Sequence, residues 1–322
     1  MIIRMERSES VDILKGVGML SVIWGHTIPY FNGFIYTFHM PLFFLMSGYY
    51  FNIDRYDLKK DFKRLMFPYF FTSFLILLPL LILCICGKKN IQDIYDWIFA
   101  TFWGSSSIHN PGLWGSLPNV GTIWFLLALF EARFFYYYLY QRIRNINKFV
   151  ILLCCIFVLC VFSRNYIQLP FSFQASGCAL LYLLLGRLIR NCKFKYIYIK
   201  RYILLFGWIW IFTLNFSQID VGKCLYKFYF LDVISSLFVV YCLYKCISKC
   251  LELKSIFINK VLVRLSYFGY YSLVVLCFHN IELKLVSLSI NFWGLFILRV
   301  LFSVIMIEIV RKSNILSKIY LK

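Results

Sequence analysis

Long apolar segments constrain the fold of this chain more than any other feature. A helix needs about 20 mainly apolar residues to cross the hydrocarbon core of a bilayer, and ten segments approach that length. With 61% hydrophobic and 15% charged residues, the 322-residue chain does not have the composition of a soluble globular domain. We predict an all-α fold, a polytopic transmembrane helical bundle of about ten helices in a single domain, residues 1–322. The predicted spans are 11–31, 34–52, 67–87, 121–140, 148–165, 171–190, 201–217, 228–248, 264–281 and 290–310.

The distribution of basic residues predicts the orientation of the bundle. The net charge of +20 would suit a nucleic-acid-binding protein, but the basic residues fall in alternate loops, as they do when cytoplasmic loops retain Lys and Arg. With the N-terminus inside, 26 of the 34 Lys and Arg residues are cytoplasmic, 6 are outside and 2, Arg133 and Arg299, lie within helices. We therefore expect both termini in the cytoplasm and no nucleic-acid partner. The first segment lacks the small-residue cleavage site of a signal peptide and is expected to remain as helix one.

Three ionisable side chains, Asp12, Lys15 and His26, interrupt the first apolar segment. Lys15 and His26 are eleven residues apart, which on a helix separates them by only ~20° around the axis and roughly 16 Å along it. Ionisable residues within a membrane usually face a cavity, so a cation near the cytoplasm could hold an anionic substrate while the imidazole moves a proton. Structural polar packing is the alternative. Asp12 is about 21 Å from His26, and is better placed to pair with Lys15.

The four histidines of the chain fall towards one side of the predicted bundle. His39 returns in the second segment at a depth that matches His26, His109 lies in the long polar connection, and His279 ends a late apolar segment. This clustering favours a membrane enzyme, although His39 could instead hold the helical hairpin and His279 could be an interfacial helix end. A histidine metal site is a further alternative, but no helix carries a His-x3-His pair or a carboxylate at ligand spacing. No metal is therefore expected.

Several motifs resemble the acyltransferase-3 family of integral membrane O-acyltransferases, especially its branch similar to fucose 4-O-acetylases. The pattern of the first helix and the His-Met-Pro motif of the second carry most of the resemblance. Many relatives have Arg where this chain has Lys15, which replaces a bidentate group with a point charge. The matching segments are Asp12–Gly16 with Gly25-His26, Ile35–Tyr49, Phe62–Tyr69, Ile123–Leu129, and Leu265–Leu273 leading to His279.

The resemblance implies a function and a location. Such proteins transfer an acyl group, usually acetyl from cytoplasmic acetyl-CoA, to a hydroxyl of an extracytoplasmic or membrane-associated sugar. We therefore expect an O-acetyltransferase in the bacterial inner membrane, with acetyl-CoA as acyl donor and a cell-surface or exported glycan, possibly lipid-linked, as acceptor. Lys15, Lys63 and Arg64 would neutralise the phosphates of acetyl-CoA at the inner mouth, although Lys63 and Arg64 could simply set the topology.

The resemblance also suggests roles on the outer side. His26 would take the proton of the sugar hydroxyl, because an unassisted hydroxyl is a poor nucleophile near neutral pH. A second group should orient its ring, and Asp232 is the carboxylate nearest in depth. His39 or His279 would stabilise the oxyanion or bind the acceptor, and Trp124 would contribute to acceptor binding.

Two assignments remain open from the sequence. Glu131 sits near the middle of the membrane and could pair with Arg133 or Arg299. A transporter or flippase of a lipid-linked glycan would also place polar residues inside an apolar bundle, but such proteins usually carry an internal repeat, and none is detectable in this chain.

Overall fold

The computed structural model describes residues 9–106, 118–191, 196–253, 255–285 and 290–321. Within these residues the fold is helical and has no β-sheet, only a bridge between Asp220 and Leu225. The predicted all-α class is therefore confirmed. The helices are α1 Glu9–Gly25, α2 Asn32–Tyr50, α3 Leu58–Ile85 with a π-helical turn at Phe62–Met66, α4 Ile91–Trp103, α5 Trp124–Arg142, α6 Ile146–Ser163, α7 Phe173–Asn191, α8 Tyr196–Phe216, α9 Phe230–Glu252, α10 Ile256–Tyr270, α11 Ser272–Leu285, α12 Phe292–Lys312 and α13 Asn314–Tyr320.

Among the described residues, five helices are long and apolar enough to cross a membrane: α3, α6, α7 with the preceding turn, α9 and α12. A sixth span results if α10 and α11 are one bent segment. The polytopic bundle is thus confirmed, whereas the count of ten spans and the cytoplasmic placement of both termini remain predictions. Helices α1, α2 and α5 are not among the five: α1 has only 17 residues, and polar residues such as His39 and Glu131 lower the mean hydropathy of α2 and α5.

The bundle has a clear centre and a clear periphery. In the most apolar stretch of α7, 72% of the residues are buried, against 22% in α6 and in α12. Helix α2 packs along α7, and α1 packs along α10. Many large apolar side chains on the outer helices are exposed. Extended apolar surfaces of this kind are unfavourable in water and favourable in contact with lipid. The polar residues of α1 and α2 consequently lie towards the interior.

The predicted span 264–281 contains a break, because the chain bends by 73° between α10 and α11. Gly269, just before the break, packs against the backbone of α1, where a Cβ atom would overlap the carbonyl of Asp12. The hydroxyl of Tyr267 donates to Glu308 and holds the same end of α10 to α12. These contacts fix α10 across α1, and Tyr271 starts a new direction in which α11 runs towards the His26 end of the molecule.

Candidate active site

One face of α1 lines two cavities. Val11, Lys15 and Met19 line the first, which we call the Lys15 cavity, and Val22 and His26 line the second, the His26 cavity. These five positions are separated by three or four residues, the spacing of one helix face. The predicted stripe from Lys15 to His26 is therefore present, and its two ends face different spaces.

The Lys15 cavity has a volume of about 410 Å³ and three cationic side chains in its wall: Lys15, Arg64 and Arg133. The Nε atom of Arg133 lies 2.7 Å from Oδ2 of Asp61, and the guanidinium lies 4.8 Å from the centre of the Phe51 ring. Arg133 is thus paired with Asp61 and not with Glu131, from which it is only two positions away and so on a different face of α5. Asp61 and Phe51 fix its guanidinium at the cavity wall.

Lys63 behaves differently from its neighbour Arg64. Both are exposed residues of the π-helical turn in α3, but only Arg64 is part of the lining of the Lys15 cavity. Of the three cations predicted to meet the acyl donor, the structure brings Lys15 and Arg64 together, adds Arg133, and leaves Lys63 outside the lining.

The His26 cavity has a volume of about 460 Å³ and a mixed polar wall. His39 and Trp124 line it together with His26, as the sequence predicted for the reacting side. The cavity also contains Asp220 and Lys223, whose carboxylate and ammonium groups are 3.7 Å apart. Burial raises the pKa of Asp220, and the proximity of Lys223 only partly opposes this effect. His109 lies outside the described residues.

The surroundings of His39 determine which of its ring nitrogens carries a proton. Nδ1 lies 2.9 Å from the carbonyl oxygen of Ile35. A carbonyl can only accept a hydrogen bond, so Nδ1 must donate, and in the neutral ring Nε2 is the unprotonated nitrogen. The ring packs at 4.8 Å from that of Tyr36 at the cavity wall. His39 can therefore offer a basic nitrogen.

His279 is fully buried and lies directly behind His26. The centres of the two rings are 5.7 Å apart. Nδ1 of His279 lies 3.3 Å from Oε2 of Glu282, and a carboxylate accepts, so in this arrangement Nδ1 carries the proton. The Nε2 atom of His279 has no hydrogen-bond partner among the described residues. A histidine with a carboxylate on one nitrogen and an open second nitrogen thus lies next to His26.

A buried arginine joins this pair back to His26. The Nε atom of Arg299 donates to Oε1 of Glu282 at 2.6 Å. Its Nη1 atom donates to the carbonyl oxygen of His26 and to the hydroxyl of Thr27, both at 2.9 Å. Arg299 therefore neutralises Glu282 and fixes the backbone where α1 ends, so that His26 and His279 are positioned by one network.

The structure does not bring Asp232 to His26, because Asp232 is not part of the lining of the His26 cavity. Oδ2 of Asp232 accepts hydrogen bonds from the hydroxyl of Ser217 and the amide of Phe228, both at 2.9 Å, so this carboxylate holds the start of α9. The carboxylate bonded to His279 is Glu282, which the sequence did not reveal because the predicted span ended at residue 281. The spacing from His279 to Glu282, three residues on one helix, was a signal that could have identified it.

Helix α11 also positions the start of α5. Oδ1 of Asn280 accepts from the amide of Thr122 at 2.7 Å, and its Nδ2 donates to the carbonyl oxygen of Val120 at 3.1 Å. Nζ of Lys284 lies 2.6 Å from Oδ1 of Asn119. These bonds fix the segment before Trp124, whose ring then faces the His26 cavity.

The two cavities meet at a thin apolar wall. Met40 of α2 and Leu276 of α11 line both the Lys15 cavity and the His26 cavity. The two cavities are therefore adjacent at these two residues. This arrangement can bring two substrates from opposite sides to one reaction point.

Comparisons with known proteins agree with the motifs. No group of three or more His, Cys, Asp or Glu side chains able to hold a metal ion occurs among the described residues. A model of a family described as acyltransferase domain, the acyltransferase-3 family, matches residues 8–310. No curated protein and no solved structure matches the chain. Because the match covers nearly the whole sequence, the chain belongs to the acyltransferase-3 family and is a membrane acyltransferase.

Proposed function

We propose that this protein is a membrane O-acetyltransferase of the bacterial inner membrane, which moves acetyl from cytoplasmic acetyl-CoA to a hydroxyl of a cell-surface or exported glycan. The observation that supports this most strongly is the pair of cavities on one face of α1. One cavity has three cations and the other has histidines, and Met40 and Leu276 line both. A phosphate-bearing donor and a sugar hydroxyl can approach one point from opposite sides.

Charge supports the placement of the donor in the Lys15 cavity. Acetyl-CoA carries several phosphates, and Lys15, Arg64 and Arg133 can neutralise them. The planar guanidinium of Arg133, held by Asp61, offers the two-pronged hydrogen bonding that Lys15 lacks. With its phosphates held there, the donor would direct its thioester towards Met40 and Leu276.

The reaction itself requires one base. The oxygen of the sugar hydroxyl attacks the carbonyl carbon of the thioester, a C–O bond forms, the C–S bond breaks, and the thiolate of CoA leaves. The proton of the hydroxyl passes to His26, and then to the departing thiolate, so that the products are an acetyl ester and free CoA. His26 is suited to this role because it faces the cavity at the end of α1.

The neighbouring residues would support that proton transfer. When His26 becomes positive, the unprotonated Nε2 of His279 can stabilise the imidazolium, and Glu282 holds His279 in the tautomer that leaves Nε2 unprotonated. His39 would hold the acceptor hydroxyl through Nε2, and Trp124 would pack against the sugar ring. Asp232 is not assigned a catalytic role, because it is bonded to Ser217 and Phe228.

Sealed membrane vesicles test the proposal. Acetyl-CoA does not cross a bilayer unaided, so labelled donor added outside inside-out vesicles reaches the cytoplasmic face alone. We expect label in the glycan within the vesicles, and none when right-side-out vesicles receive the same donor. Detergent-opened vesicles of both orientations provide the control and should incorporate label equally. Incorporation by right-side-out vesicles alone would mean that the donor binds from the extracytoplasmic side, which contradicts its proposed place in the Lys15 cavity.

A further inference from the structure

Basic residues on the His26 side of the molecule are few, and most of them surround cavities. The sequence leaves six on that side, where topology disfavours them. Two of them, Lys223 and Lys284, line the His26 cavity. Arg164 and Lys227 line a further cavity beyond it. The remaining two, Lys88 and Lys89, are exposed before α4 and belong to none of these cavities.

The further cavity, which we call the distal cavity, has a volume of about 490 Å³. It lies between the end of α6, the end of α8 and the connection from α8 to α9. A small cavity of about 30 Å³ lies between the distal cavity and the His26 cavity, and we call it the passage: it shares Ser106 and Lys223 with the His26 cavity and Arg164 with the distal cavity. The three cavities are therefore neighbours on this side of the protein.

The connection at 217–229 forms the ridge between the two larger spaces. Its backbone bridge pairs Asp220 with Leu225. Asp220 and Lys223 face the His26 cavity, whereas Leu225 and Lys227 face the distal cavity. One short connection therefore supplies a cation to each space, which links binding at the distal cavity to the geometry around His26.

The lining of the distal cavity suits a charged sugar. Its wall combines two cations with side-chain amides that can bond sugar hydroxyls, and with aromatic rings that can pack on sugar faces. Neither the passage nor the distal cavity has a carboxylate in its lining. An anionic group would be favoured there and a cationic group disfavoured. The polar and aromatic members include Arg164, Asn165, Asn215, Gln218, Tyr226 and Lys227.

We propose that the distal cavity is an acceptor subsite for an anionic sugar unit, bearing a carboxylate or a phosphate, in the same glycan whose hydroxyl reacts in the His26 cavity. This inference rests on the proposed function and adds the chemical class of the acceptor. Arg164 and Lys227 bind the anionic group, and the glycan extends from there towards His26 on the side where Lys223 lies.

Binding by the full-length protein in lipid nanodiscs tests the subsite without any acyl donor. The probes are a short oligogalacturonide, its methyl-esterified and hence uncharged counterpart, and a short glycerol-phosphate oligomer. We expect one or both anionic probes to bind and the ester to bind weakly. Arg164→Gln and Lys227→Gln should each weaken the binding roughly tenfold, the effect of losing one charge-assisted hydrogen bond. Lys88→Gln removes the same charge from the same side and should leave affinity unchanged.

Each other outcome overturns the subsite. Equal binding of the ester would show that charge is not recognised, and equal weakening by Lys88→Gln would show general surface attraction. Absence of binding by both anionic probes would also overturn the subsite. Acetyl transfer by the same preparations is measured in parallel: transfer without anion binding removes the subsite and leaves the proposed function standing, whereas anion binding without transfer removes the proposed function.

Discussion

Substitution of Glu282 by Gln tests the network that positions the histidines. Glu282 is 5% exposed and bonds Arg299 at 2.6 Å. The amide can still accept that hydrogen bond, but the charge of Arg299 is then buried without compensation. Removing one partner of a buried ion pair costs about 3–5 kcal/mol, and we expect Glu282→Gln to destabilise the protein by that amount. The variant Glu282→Gln/Arg299→Gln removes both charges and should recover part of the loss.

The same substitution should lower the transfer rate for a different reason. His279 would lose the carboxylate that fixes its proton on Nδ1. Loss of such an orienting carboxylate from a catalytic triad costs about 10⁴-fold, and a hydrogen bond of 3.3 Å to a residue behind the base should matter less. We expect about a hundredfold decrease in kcat, which the double variant does not recover.

Two measurements on purified protein separate these effects. Thermal unfolding followed by tryptophan fluorescence gives relative stability, and release of CoA gives the rate. Lys89→Gln is the control, because Lys89 pairs with Asp93 at the surface, where the two side chains are 48% and 37% exposed; it should cost under about 1 kcal/mol. Equal stability of Glu282→Gln and wild type, or strictly additive losses in the double variant, would refute the reasoning.

Three further predictions follow from particular contacts. Arg133→Lys should raise KM for acetyl-CoA about tenfold with little change in kcat, because a point charge replaces the guanidinium held by Asp61; an unchanged KM would remove Arg133 from the donor site. Gly269→Ala should destabilise the protein by about 1–3 kcal/mol, measured by thermal unfolding, because the added Cβ overlaps the backbone of α1. Burial raises the pKa of Asp220, so as the pH falls this carboxylate beside Lys223 becomes neutral at a higher pH than an ordinary Asp does. We expect activity to decrease over the same acidic pH range in wild type. The variant Asp220→Asn should not show this acidic decrease in its pH profile.

The sequence predicted those parts of the site that depend on one helix. Regular helix geometry places Lys15 and His26 on one face of α1, and the structure has them there. The sequence could not predict the break at Tyr271, because that bend arises from packing of α10 against α1 and α12. The missed break also hid Glu282, which a straight span left outside the membrane. The pairing of Asp232 with His26 was predicted from their similar depth in the membrane. Similar depth does not determine which helices are neighbours, so it could not identify the partner of His26.

The most direct test of the central claim is transfer of labelled acetyl from acetyl-CoA into the glycan fraction of membranes that contain matched amounts of wild type or His26→Ala. Gln92→Ala changes an exposed residue of α4 and serves as the control. The account predicts label in the glycan for wild type and Gln92→Ala, and none above background for His26→Ala with the same amount of folded protein. Full incorporation by His26→Ala, or none by wild type in membranes that contain the native glycan, would contradict it.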